Sequence, residues 1–124
     1  MTSVPLDYLL SLVNPLKDDV WGCGELVTLE MISSAPPEKD KWNKNWPIKR
    51  HAGRIRYLAE STRFVPIGLD VGILGLSHHE PLVYDGHHRL VSAVYCGCKE
   101  VPCEIDGTVG YIDELIANWR ENGH

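Results

Sequence analysis

Six consecutive residues, Tyr84-Asp85-Gly86-His87-His88-Arg89, put a carboxylate, a glycine, two imidazoles and a guanidinium side by side. Each type brings its own chemistry. A carboxylate accepts a proton, orients an imidazole or holds a divalent cation. An imidazole exchanges protons near neutral pH. A guanidinium offers forked donors that match phosphate oxygens. The apolar Pro81-Leu82-Val83 precedes the stretch and Leu90-Val91-Ser92-Ala93-Val94-Tyr95 follows it. A strand therefore hands over to a helix through Gly86. The first N–H groups of such a helix lack intrahelical partners and carry the positive end of its dipole. That makes an anion site, most often for phosphate.

The candidate phosphate or cofactor residues are Gly86, His87, His88, Arg89 and, one turn on, Ser92. Asp85 is the candidate metal ligand or base, and His88 the candidate hydrogen-bond donor or acid. At helical spacing His87 shares a face with Leu90, Val91 and Val94, which turns it toward the core. His88 shares one with Ser92 and Tyr95, and Arg89 one with Ser92 and Ala93. A plainer reading uses the same residues for structure alone: Asp85 caps the helix and Gly86 turns the chain.

The elements around this turn are short. Leu6 onward reads as a helix that starts near Ser3 and ends at Asn14-Pro15. Residues 25–32 are apolar and β-branched, which predicts a strand. Residues 33–49 hold three prolines and read as a long loop. Ala52, Ile55, Leu58 and Ala59 set a helix over 50–61. Strands follow at 65–71 and 81–85, with a glycine-punctuated loop between that carries His78-His79-Glu80, a lid or metal contribution or a solvated tip. The helix over 87–96 stops at Gly97. A strand over 100–105 and a helix opened by Thr108 complete the chain. Helices alternating with few strands predict an α/β or α+β domain: a small mixed sheet with flanking helices.

At 124 residues the chain predicts a single domain, 1–124. Apolar residues are 44% and charged residues 23%, which excludes a disordered polar chain. The net charge of −5 leaves no general basic footprint for duplex DNA. A local patch over 39–56 holds seven Lys/Arg with Trp42 and Trp46, which either stack on bases or anchor the loop. No run approaches the ~20 apolar residues of a membrane span, and the N-terminus lacks the pattern of a signal peptide. A cytoplasmic protein without a membrane partner is expected. Cys23, Cys96, Cys98 and Cys103 contain no CxxC pair. They read as small apolar fillers, with a zinc site or a disulfide as alternatives.

The segment from Pro81 to Ile105 resembles the signature of the ParB/sulfiredoxin superfamily. The residues that carry the resemblance are Asp85-Gly86, His88-Arg89, Ala93, Gly97 and Val101-Pro102, preceded by a helix–strand unit ending in Val65-Pro66-Ile67. It covers about 50–107. It implies a ParB/sulfiredoxin-like fold that binds ATP or another nucleotide, with Mg2+, at the Gly86–Arg89 turn. Sulfiredoxins carry a cysteine where this chain has His87, so sulfinic-acid reduction is not expected. ParB partition proteins add a helix-turn-helix domain after this module, and 17 residues follow Gly107 here. They also carry a glycine where Thr62 stands, so a CTP clamp is not expected. Free serine kinases of the superfamily share the DGHHR string and use an upstream glutamate as base, which points to Glu30 or Glu38.

Three functions follow from these features. The first is phosphoryl transfer or phosphate-ester hydrolysis on a nucleotide. The second is a DNA-binding ParB-like nuclease or a plasmid or phage accessory factor, using Lys44, Lys49 and Arg50. The third is a non-catalytic module that binds a host protein.

Overall fold

A computed structural model describes residues 2–40, 45–61, 65–72, 81–108 and 110–122. The chain order is β1 (Thr2–Pro5), α1 (Leu6–Leu12), α2 (Leu29–Ser34), α3 (Ile48–Glu60), β2 (Ile67–Asp70), β3 (Leu82–Asp85), α4 (His87–Tyr95), β4 (Glu100–Asp106) and α5 (Tyr111–Glu121). The strands form one mixed sheet in the order β1-β4-β2-β3. β4 runs antiparallel to β1, with Val4 opposite Val101, and parallel to β2, with Ile67 opposite Cys103. β3 closes the other edge, antiparallel to β2. The α+β class expected from the sequence is the class observed. No helix among the described residues is long and apolar enough to cross a membrane.

Two apolar clusters hold the elements. The first lies between the sheet and its covering helices, around Val4, Leu9, Leu69, Leu90, Cys103 and Ile112. The second lies among α2, α3 and the segment before them, around Val27, Ile32, Ile48, Ile55 and Val91. Helix α4 serves both: Leu90 and Ala93 enter the first, and Val91 enters the second. A helix walled on two sides must be apolar over most of its circumference. Leu90, Val91, Ser92 and Ala93 are accordingly all buried.

Two local expectations are corrected. The strand predicted over 25–32 is instead a helix from Leu29. Thr28 supplies a local start signal: its hydroxyl accepts the Met31 N–H at 3.1 Å. Only Val27 and Ile32 of that segment are buried, a spacing that is not the alternation of a strand. The N-terminus, read as helix from Ser3, first forms edge strand β1. Pro5 at its end is tolerated because a strand edge needs no further donor there. The remaining boundaries move by a few residues. α3 begins after Pro47, and α5 begins after Gly110, with the Thr108 carbonyl accepting the Tyr111 N–H.

Candidate functional site

The strand-to-helix turn is built by Gly86. It adopts φ 103°, the left-handed region that favours glycine. A Cβ there would sit 3.1 Å from Ile67 Cγ1 and 3.3 Å from Ile67 Cα, so β3 crosses into α4 in close contact with β2. Gly86 is also the N-cap, and no side chain among the described residues caps the helix. Asp85 therefore does not take the capping role open to it. The first helical bond runs from the Leu90 N–H to the Gly86 carbonyl, at 2.8 Å. The N–H groups of residues 87–89 precede that bond and have no intrahelical acceptor.

Beside this helix start lies a cleft of about 270 Å³. Asp85, His87, His88 and Arg89 line it from the turn, and Trp21 and Arg54 from across it. Arg54 is fixed by its own chain: Nη1 donates to the Lys39 carbonyl at 2.7 Å and to that of Glu38 at 3.4 Å. Tyr84 also lines it. Its ring covers Gly68, where a Cβ would be 2.6 Å from Tyr84 Cζ. Its hydroxyl donates to the Asp106 carboxylate, which pushes its pKa up to about 12 and removes it as an acid near neutral pH.

Arg89 is held through one nitrogen. Nη1 donates to the Pro66 carbonyl at 3.0 Å and stands 3.6 Å from Asp85 Oδ2. The second contact is longer than a hydrogen bond, and the Asp85 side chain is 66% exposed, so solvent screens it. Nε and Nη2 make no hydrogen bond among the described residues. That leaves the side-on edge of the guanidinium, the edge that takes two oxygens of one anion.

The two histidines exchange the places expected of them. His88 is the buried one, and His87 is half-buried. The reason is the second cluster. His88 stands one and two turns before Val91 and Tyr95, which both pack there. A single core face, assumed from spacing alone, would have chosen His87. His88 Nε2 meets His51 Nδ1 at 2.8 Å. Their ring planes lie within 12° and their centroids 5.1 Å apart, which is a side-by-side pair. The Trp21 indole lies flat over both, 4.6 Å from each centroid. Burial, and then the neighbouring His51 and cations, push the His88 pKa down to about 3. Burial lowers His51 and His87 as well. A neutral imidazole already paired with another is a poor proton donor, which counts against the acid role given to His88. His51 and Trp21 were missed as site residues. The one signal in the sequence was a histidine on the apolar side of α3, one position before Ala52.

The other candidates are dispersed. Glu30 lies exposed in the first turn of α2 and does not line the cleft. Glu38 is paired with Arg50 at 3.3 Å, which lowers its pKa. Ser92 faces a second cavity, and its hydroxyl donates to the Arg89 carbonyl at 2.8 Å. Trp46 is buried, with the Arg50 guanidinium 4.4 Å above its ring, so it anchors the loop instead of offering a face to a base. Lys49 and Arg50 are exposed. Thr62, Trp42, Lys44 and His78-His79-Glu80 lie outside the described residues. All four cysteines are free thiols. No group of three metal-ligating side chains occurs among the described residues. Comparisons with protein-family models, curated proteins and solved structures find no match to this chain.

Proposed function

We propose that this chain binds a nucleoside phosphate, with magnesium, at the turn from β3 into α4, and uses it in phosphoryl transfer or phosphate-ester hydrolysis. One observation carries the proposal. Nη1 of Arg89 is committed to the Pro66 carbonyl, which steadies the opposite edge of the guanidinium beside a helix start that no side chain among the described residues caps. Two donor systems that favour phosphate then border the same cleft, in a chain whose net charge is −5. Arg54 adds a second fixed cation on the same cleft.

The donor set fits the group. Arg89 and the N–H groups of 87–89 would hold phosphate oxygens. Asp85, well exposed, would give magnesium one carboxylate oxygen, and phosphate and water oxygens would supply the rest. Magnesium when bound neutralises phosphate charge. His87, kept neutral by burial, can accept a proton or a hydrogen bond at the cleft. His88 has a positioning role through His51.

Thermal unfolding with ATP, ADP and CTP, each with magnesium, tests this. At a hundredfold over Kd a ligand stabilises by about 2.7 kcal/mol, which reads as a rise of several degrees in Tm. Arg89→Ala should abolish the rise measured from its own ligand-free Tm. No rise with any nucleotide, or a rise unchanged in Arg89→Ala, overturns the proposal.

A further inference from the structure

Adjoining the cleft, further along α4, lies a second cavity, of about 220 Å³. Leu58 from α3, Ile67 from β2, Ala93 from α4 and Val101 from β4 make its apolar walls. Leu58 and Arg89 border this cavity and the phosphate cleft alike. Arg89 is thus the partition between a polar space and an apolar one. The carbonyl that anchors it belongs to Pro66, directly before Ile67 in the wall.

The chemistry of the lining is one-sided. No carboxylate lines the cavity among the described residues, and Arg89 is its one charged side chain there. The Ser92 hydroxyl gives its hydrogen to the Arg89 carbonyl, which leaves its oxygen as an acceptor. Cys96 and Cys98 stand at the rim. The Cys96 thiol donates to the Ala59 carbonyl at 3.6 Å, and burial and its neighbour Cys98 both favour its protonated form. A small pocket with apolar walls and one convergent cation selects a ligand with an apolar body and an anionic head.

We propose that this cavity takes the apolar body of a phosphate monoester whose phosphate is held by Arg89 at the border with the cleft. The ligand class is a phosphorylated aromatic or branched apolar alcohol. This rests on Arg89 as a phosphate holder and adds what lies on the far side of the phosphate.

The test is calorimetric titration of the whole chain with 1-naphthyl phosphate, inorganic phosphate and 1-naphthol. Two variants narrow the cavity and keep the arginine at 89: Ala59→Phe at the half-buried wall of α3, and Ala93→Leu, one turn from Arg89 on α4, should the first fail to fold. The naphthyl ester should bind at least tenfold more tightly than inorganic phosphate, and that advantage should vanish in the variant. It should also slow iodoacetamide alkylation of Cys96 and Cys98 several-fold, read by mass spectrometry, with Cys23 unaffected. Equal affinity for the ester and inorganic phosphate, or an advantage that survives in the folded variant, overturns the inference. Naphthol binding as tightly as its phosphate also overturns it, because Arg89 would then contribute nothing. The two proposals fail separately. If ATP binds but the ester gains nothing, this inference falls and the nucleotide site stands. If the ester binds through the cavity and no nucleotide binds, the reverse holds.

Discussion

Gly86 meets two constraints at once: a left-handed backbone and the wall of Ile67 behind it. An alanine there adds about 1–2 kcal/mol of backbone strain before the contact is counted. Gly86→Ala should lower Tm by several degrees and remove any nucleotide-induced rise, because the first turn of α4 must shift to clear Ile67. Thermal unfolding with and without ATP checks this, and an unchanged Tm would refute it. The Asp-Gly pair announced this turn in the sequence, since few residues other than glycine follow a strand into a helix with positive φ. Arg89 was legible for a similar reason: one turn into the helix, it must lie near the helix start. Its division into an anchored nitrogen and an open edge was not legible. That depends on the Pro66 carbonyl, 23 residues away in sequence.

At the scale of elements, α4 decides what could be foreseen. Its existence and its stop at Gly97 were plain from composition. Which histidine it buries was not, because periodicity reveals one apolar face and cannot announce a second packing partner. That partner is α3, joined to α4 through His51 and His88. The joint has a pH signature. Both imidazoles are held neutral in the folded chain and charge below their ordinary value of 6.5 once it unfolds. The unfolded state then takes up protons that the folded state refuses. Stability is therefore full above about pH 6.5 and declines as pH falls toward the value near 3 reached by His88. The slope approaches about 1.4 kcal/mol per pH unit for each imidazole held neutral. Urea unfolding at pH 7.5, 6 and 5 should trace the decline in the parent chain and a flatter line in His51→Gln/His88→Gln. Parallel lines for the two would remove the pair as the cause.

At the scale of the molecule, two apolar clusters share one helix, and this predicts a single cooperative unit. Trp21 packs on the second cluster and Trp119 on the first. Denaturation followed by fluorescence in variants retaining only Trp21 or only Trp119 should give coincident midpoints, matching far-UV circular dichroism. Separated midpoints would mean that the clusters melt independently. The class of the fold was readable because helical and strand patterns alternate along the chain. The strand order was beyond reach. It rests on pairings such as Thr2 with Cys103, about a hundred residues apart, which no local pattern encodes.

The way Arg89 is tethered also limits what can replace it. A lysine would preserve the positive charge yet bring a single nitrogen to two tasks. It would either stay fastened to the backbone at Pro66 or swing out to greet an incoming ligand. Retaining charge at position 89 is therefore not enough; the side chain there needs more than one nitrogen to be moored and receptive together.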